Sequence, residues 1–145
     1  MRRLFSLLVS VLSLAFIVSC STHTSDNGDL DGFWQMTAVE ALDGCNTTDM
    51  YALPMYWSFE VNLMEVKYKD EPWGVFFRFN HTKDSLIISE PIRNNRDSGD
   101  IKIITPELIR PYGVYHLREG FAVEHLSSST MILKSDSIRA RFRKY

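Results

Sequence analysis

Apolar and polar residues alternate one by one along much of this chain, and that period of two constrains the fold more than any other feature. In Trp57–Leu63 the odd-numbered positions are apolar and the residues between them are polar. Successive side chains of a β-strand point to opposite faces, so this segment is predicted to be a half-buried strand. The same pattern occurs in seven further segments: Trp34–Ala38, Val75–Phe79, Leu86–Ile88, Ile101–Ile103, Phe121–Val123, Met131–Leu133 and Ile138–Phe142.

Short, polar segments separate most of these strands, which is typical of antiparallel neighbours. Two connections are longer. Ala41–Tyr56 is predicted to hold a short helix or a lid. Thr105–Gly120 contains Pro106, Pro111 and Gly113, which exclude a long helix, although Pro106–Ile109 is predicted to form one helical turn. The pattern indicates an all-β sandwich or up-and-down barrel, and eight strands can close around side chains or one small ligand.

The N-terminus is predicted to direct the protein out of the cytoplasm. A basic start, Met1–Arg3, precedes the apolar run Leu4–Val18. This arrangement is typical of a secretory signal, and the run is shorter than the about 20 residues of a membrane-spanning helix. Ile17–Cys20 resembles the bacterial lipobox, in which the cysteine receives a diacylglycerol and becomes the N-terminus. An uncleaved anchor helix and a plain signal peptide are the alternatives.

These features divide the chain into a signal peptide at 1–19, a flexible tether at 20–29 and a folded domain at 30–145. Acyl chains on Cys20 would hold the domain at a membrane, because each buried methylene contributes about 0.8 kcal/mol. Thr22, where an aspartate would favour the inner membrane, favours the outer membrane. The predicted location is therefore the bacterial cell envelope, on the periplasmic or the exposed side of the outer membrane.

Charge and composition narrow the classes of partner. Residues 1–20 include Arg2 and Arg3 and no acidic residue, so the formal net charge of −2 becomes −4 without them. That charge argues against nucleic acid. Cys45 then remains without a second cysteine for a disulfide. The four histidines lack the spacing of metal ligands, and His23 and His81 are predicted to be solvated, so we expect no metal and no cofactor.

Gly32-Phe33-Trp34, at the start of the first strand, resembles the lipocalin signature. Together with the lipobox and the closing Arg-Phe-Arg-Lys-Tyr, it makes Leu30–Tyr145 similar to small lipocalin-like lipoproteins of Bacteroidetes. The resemblance implies an antiparallel up-and-down lipocalin-like β-barrel in which Trp34 plugs one end. It also implies that Arg141 or Arg143 of the last strand stacks on the Trp34 indole. The short domain and the missing central Thr-Asp-Tyr motif argue against a roomy cavity.

The predicted inward side chains line a ligand pocket or pack into a closed core, and short strands favour the core. They are Trp34, Trp57, Phe59, Phe77, Phe79, Phe121 and Phe142. Cys45 and Ser127–Ser129 lack the context of a catalytic nucleophile, so we expect no enzyme.

The first hypothesis for function is a lipid-anchored envelope protein that binds a small apolar or amphipathic ligand. The alternative is a filled barrel that acts as an interaction or inhibitor module. Its loops, with the polar segment Pro91–Asp100 as one candidate, would contact an envelope protein or a glycan.

Overall fold

The computed structural model of the protein describes residues 25–43, 46–95, 97 and 99–145. The described residues form short 3₁₀ turns at Gly28–Leu30, Pro106–Leu108 and Arg110–Tyr112, and no helix among them is long and apolar enough to cross a membrane. Their strands are β1 (Gly32–Ala41), β2 (Thr47–Asp49), β3 (Met55–Glu60), β4 (Leu63–Tyr68), β5 (Val75–His81), β6 (Ser85–Arg93), β7 (Ile101–Lys102), β8 (Glu119–Leu126), β9 (Thr130–Lys134) and β10 (Ile138–Lys144).

Eight strands form one antiparallel meander that closes on itself. The order around the barrel is β1, β3, β4, β5, β6, β8, β9 and β10, and β10 pairs with β1. This closing seam runs from Trp34 opposite Lys144 to Ala41 opposite Ile138. The two short strands β2 and β7 pair with β1 and β6 beside the barrel. The predicted all-β, up-and-down barrel of about eight strands is confirmed, and its closure protects the strand edges.

One predicted strand of the barrel is in fact a hairpin of two strands. Trp57–Leu63 is predicted as a single strand, yet the chain reverses at Val61–Asn62 and Glu60 pairs with Leu63. The reversal changes which positions face inward, so β4 buries its even-numbered Met64 and Val66. Val61 and Leu63 are exposed instead. The turn escapes prediction because Val61 is β-branched and adopts φ 56°, a conformation that normally selects glycine.

Two other predicted segments also need correction. Ile101–Ile103 is predicted as a barrel strand, but within the described residues it contributes only the short β7, which pairs with β6. The segment Ala41–Tyr56 is predicted to hold a short helix or a lid. Its described residues instead contain β2, and Met50 is buried in the core.

The two ends of the barrel are built differently. The first residues of β1, the β3–β4 turn and the last residues of β10 lie at one end, here named the closed end. The opposite end, here named the mouth, carries the longer connections at 42–54, 94–100 and 103–118. Pro106–Leu108 forms the single helical turn that the sequence predicts, and a second 3₁₀ turn follows at Arg110–Tyr112.

Candidate functional site

Side chains from opposite walls meet in the middle of the barrel. The structure buries all seven predicted inward residues: Trp34, Trp57, Phe59, Phe77, Phe79, Phe121 and Phe142. Trp57 on β3 and Phe121 on β8 stand four strands apart in the eight-strand circuit, which is the greatest separation the barrel allows. Their ring centroids are nevertheless only 5.6 Å apart, in an edge-to-face arrangement. These two rings meet in the space in which a lipocalin-like barrel would hold a ligand.

Further aromatic contacts extend this packing along the barrel axis. Trp57 lies 5.0 Å from Phe142 of β10, measured between ring centroids. Nearer the closed end, Phe59 and Phe79 meet edge to face at 5.3 Å. The aromatic residues therefore belong to one continuous hydrophobic core rather than to the wall of an open pocket.

The mouth is covered by the connection between β7 and β8. Residues 105–118, here named the plug, insert Ile109, Tyr112 and Val114 into the core, where all three are buried. Gly113, between the last two, has φ 79°. A side chain there would be strained, and a Cβ would lie 3.9 Å from Trp57. A glycine thus allows the backbone of the plug to turn directly over the central rings.

Polar contacts fix the plug to the barrel. The Tyr68 hydroxyl donates to the Pro111 carbonyl at 2.6 Å, and the Tyr112 hydroxyl donates to Glu71 at 3.1 Å. Burial and the neighbouring Glu71 carboxylate raise the pKa of Tyr112 to about 12. Tyr112 therefore remains a neutral hydrogen-bond donor over the physiological range of pH.

A buried carboxylate holds the far end of the plug. Glu119 faces inward at the start of β8, opposite Ile88, and its side chain is buried. One of its oxygens accepts hydrogen bonds from the backbone N–H groups of Tyr115 and His116. This arrangement gives two partly buried backbone donors of the plug a protein acceptor.

Two polar atoms beneath the plug have no protein partner among the described residues. They are Nε1 of Trp57 and the second carboxylate oxygen of Glu119. Such atoms are uncommon in protein interiors because an unpaired buried polar group costs about 1–3 kcal/mol. The barrel interior beneath the plug therefore contains one hydrogen-bond donor and one acceptor without a partner among the described residues.

At the closed end, Trp34 is fully buried and its indole N–H donates to the Leu30 carbonyl at 2.7 Å. The cation over the ring is Lys144, whose Nζ lies 5.0 Å from the ring centroid and donates to the Asp29 carbonyl at 2.8 Å. Gly32 is needed beside this contact, because it has φ 107° and a Cβ there would lie 3.3 Å from Lys144. Lys144 and the 3₁₀ turn at Gly28–Leu30 together cover the closed end of the barrel.

The prediction that Arg141 or Arg143 stacks on Trp34 is therefore wrong. In β10 the residues Ile138, Ala140 and Phe142 face inward, and Lys144 continues that face. Arg141 and Arg143 alternate with them, so both are exposed on the outside. The Arg143 guanidinium instead donates two hydrogen bonds to Gln35, at 2.9 and 2.7 Å, and lies 5.8 Å from the ring centroid of Tyr51.

His81 and Ser127 have structural surroundings. His81 is half-buried rather than solvated, and burial lowers the pKa of its imidazole below the ordinary value. Ser127 forms the hairpin turn between β8 and β9 through hydrogen bonds with Thr130. No cluster of potential metal ligands occurs among the described residues, and Cys20, His23 and Cys45 lie outside them.

The outer wall of the barrel carries an open groove at the closed end. A groove of about 750 Å³ lies at the closed end on the outside of β1, β3, β4 and β5. Its apolar lining includes Phe33, Val61 and Leu63, and Ser25 lies at its edge. Sequence reasoning missed this surface because the period-two pattern assigns Val61 and Leu63 to the interior.

A closed antiparallel meander of eight strands, with a buried tryptophan near the start of the first strand, defines the class of protein. The family model of the lipocalin-like domain matches residues 13–145, so the chain belongs to the lipocalin-like domain family. A search of the curated proteins finds no match.

Two crystal structures show the same fold. A lipocalin-like protein from Bacteroides uniformis is 20% identical with a TM-score of 0.60, and the match covers 81% of this chain and all of that one. An uncharacterised protein from Bacteroides eggerthii is 16% identical with a TM-score of 0.54, covering 80% of this chain and 99% of that one.

Proposed function

We propose that this chain is a lipid-anchored protein of the bacterial outer membrane whose filled barrel is a scaffold for recognition by its outer surface. The observation that carries the proposal is the contact between Trp57 and Phe121 from opposite walls, at 5.6 Å. A barrel packed through its centre has little room for an internal ligand. Recognition then falls to the loops and the outer wall, and the proposed role is binding without catalysis.

The anchor is supported by the sequence of the N-terminus. Ile17–Cys20 resembles a lipobox and follows a short apolar run, which together favour acylation of Cys20. Cys20→Ala should abolish incorporation of a labelled fatty acid and leave an uncleaved precursor. Ser19→Ala, which keeps a small residue before the cysteine, is the matched control and should be processed normally. Fatty-acid incorporation into Cys20→Ala would contradict the proposal.

The loops at the mouth are the proposed surface for a partner. Leu53 and Ile104 belong to different mouth connections and are 66% and 74% exposed. Leu108, in the plug, is 49% exposed. Large apolar side chains on loops around a closed barrel favour a protein partner over a glycan, because burial of apolar surface drives protein association.

Photo-crosslinking in cells tests the position of this surface. A photoreactive amino acid at Ile104 should give one discrete adduct that depends on the membrane anchor. The same amino acid at Ala122, which is exposed on the outside of β8, is the control and should give none. An adduct at Ala122 and none at Ile104 would contradict recognition through the mouth.

Carriage of a small ligand is the second candidate, and one specific observation favours it. The unpaired Trp57 Nε1 and Glu119 oxygen both lie beneath the plug and could bind the polar end of an amphipathic molecule. Entry would require the plug to withdraw Ile109, Tyr112 and Val114 from the core. The two candidates therefore differ in whether an apolar compound enters the native barrel.

A further inference from the structure

The closed end of the barrel exposes three apolar side chains that the core does not use. Phe33, Val61 and Leu63, here named the rim patch, line the same groove and are 55%, 54% and 37% exposed. They come from β1, from the β3–β4 turn and from β4. Exposed apolar residues that line one groove of a small domain indicate contact with a protein or a membrane.

Val61 is placed on this surface in a strained conformation. Its φ of 56° is unfavourable for a β-branched residue, and glycine would adopt it freely. The Asn27 side chain donates to the Val61 carbonyl at 2.8 Å and so ties the turn to the N-terminal segment. A strained backbone position that displays an apolar side chain to solvent is a reason to seek a function for that side chain.

The N-terminal segment limits how far this end can lie from an anchor at Cys20. Ser25 lies at the edge of the groove and bonds to Asp31 at 2.9 Å. Cys20 precedes Ser25 by five residues, a chain length that spans about 18 Å at most. The ten residues of β1 rise about 25 Å along a barrel with strands tilted by about 40°. The tether can therefore hold the closed end at a bilayer, while the mouth lies beyond its reach.

We propose that the rim patch inserts into the headgroup region of the membrane that carries the lipid anchor. The inference rests on the proposed acylation of Cys20. Phe33, Val61 and Leu63 would enter the boundary between headgroups and acyl chains, and the mouth would face away from the membrane. Three acidic side chains and one basic side chain line the groove, namely Asp31, Glu60, Glu65 and Arg78, so a zwitterionic bilayer suits it better than an anionic one.

Depth-dependent quenching in vesicles tests this orientation on the full, acylated chain. The Val61→Cys change is made in a Cys45→Ser background. Because the lipid blocks the Cys20 thiol, the fluorophore reacts only at position 61. Asp136→Cys, in the exposed turn between β9 and β10 at the mouth, is the matched control. Phosphatidylcholine vesicles with a nitroxide near the headgroup should quench position 61 by about twofold or more, since a probe there would lie about 5–10 Å into the boundary.

Two measurements separate the outcomes. Mass spectrometry and flotation with the vesicles report acylation, so loss of both would contradict the anchor itself. Equal, weak quenching at positions 61 and 136 in an acylated, vesicle-bound sample would overturn only the rim-patch proposal. Shielding of position 61 from an impermeant thiol reagent in cells, without quenching in vesicles, would also overturn it and point to a protein cover.

Substitution of the patch gives a second test that does not depend on the label at Val61. A fluorophore at Asn62→Cys reports the same turn, and the combined Phe33→Glu and Leu63→Glu changes should reduce its quenching toward the level at position 136. The pair Leu53→Glu and Ile104→Glu, at the mouth, should leave it unchanged. Equal quenching of the turn in both double variants would contradict insertion of the patch.

Discussion

At the scale of single residues, the seal at the closed end shows how far sequence reasoning reaches. Gly32-Phe33-Trp34 correctly predicts a buried tryptophan near the start of the first strand. The cation over its ring is Lys144 rather than an arginine. The alternation in Ile138–Phe142 places Lys144 on the inner face, so strand parity predicts the partner better than the chemical preference for guanidinium does.

We expect Trp34→Ala to lower the free energy of unfolding by about 3–5 kcal/mol, because it empties a buried aromatic site. Lys144→Met should lower it by about 0.5–2 kcal/mol through loss of the cation over the ring. Urea unfolding of both single variants and the double variant should show non-additive losses, because the two side chains touch. Arg141→Met is the control, with a change within about 0.5 kcal/mol. A larger loss for Arg141→Met than for Lys144→Met would contradict the assignment.

Acid should weaken the fold partly through His81. Burial holds the pKa of His81 below the ordinary value, so the unfolded chain binds a proton more readily than the folded one. The stability contributed by neutral His81 is therefore present above about pH 6.5 and is lost as the pH falls through the lower folded-state pKa.

Urea unfolding at neutral and mildly acidic pH measures this effect. We expect His81→Gln to lose less stability on acidification than wild type does, because glutamine does not titrate. His125→Gln, at an exposed position on β8, is the control and should follow wild type. Parallel curves for wild type and His81→Gln would show that this histidine makes no contribution.

At the scale of elements, sequence reasoning does not predict the hairpin β3–β4 or the insertion of the plug into the core, although it predicts the helical turn at Pro106–Leu108. A period of two continues across the turn at Val61–Asn62, because Val61 and Leu63 are apolar although both are exposed. The plug carries no periodic pattern at all. The burial of Ile109, Tyr112 and Val114 depends on the path of the backbone at Gly113, which the sequence pattern does not show.

Replacing the strained valine should stabilise the domain. Val61→Gly removes a β-branched side chain from φ 56°, where such strain costs on the order of 1–3 kcal/mol, and we expect a gain of about 1 kcal/mol. Val123→Gly, within β8, is the control and should lose about 0.5–1 kcal/mol or more. The measurement is the midpoint of chemical unfolding. A loss of stability in Val61→Gly would mean that its side chain serves the fold rather than the surface.

The plug should loosen when its carboxylate is removed. Glu119→Ala leaves the N–H groups of Tyr115 and His116 without their acceptor, which costs about 1–3 kcal/mol. Hydrogen exchange at those two amides should accelerate by about 5- to 150-fold. The amide of Phe77 in β5 should change much less.

Glu107→Ala is the control for this effect, because Glu107 is exposed and pairs only with Arg110 at 3.7 Å among the described groups. It should leave exchange at Tyr115 and His116 unchanged. If exchange accelerates equally throughout the barrel in Glu119→Ala, the carboxylate supports the whole fold and does not specifically hold the plug.

At the scale of the whole molecule, the alternating pattern and the short connections predict an antiparallel sandwich or up-and-down barrel, and the resemblance to lipocalins favours the barrel. The sequence could not show whether the barrel is hollow. Alternation within one strand shows which side chains face inward, whereas the filling of the interior depends on contacts between side chains from opposite strands. The contact between Trp57 and Phe121 joins residues that are 64 positions apart and on opposite sides of the circuit. The same seven aromatic residues would have suited a pocket or a core.

The two ends of the barrel expose different residues. The closed end carries the rim patch beside the segment that leads to Cys20, and the mouth carries exposed Leu53 and Ile104. With its closed end at the membrane, the barrel would present the mouth to the surrounding compartment. In the proposed arrangement the barrel would separate the lipid anchor from the partner.

Titration with apolar guests is the most direct measurement of whether the barrel is filled. The native domain should show no saturable binding of benzene or of a fluorescent fatty acid. Phe121→Ala should remain folded, with a free energy of unfolding lower by about 3–5 kcal/mol. It should bind benzene, because a dry apolar cavity left by an aromatic side chain accepts such a guest. Saturable binding of the fatty acid to the native domain, with a change in tryptophan fluorescence that Phe121→Ala alters, would contradict a filled barrel and favour a ligand carrier.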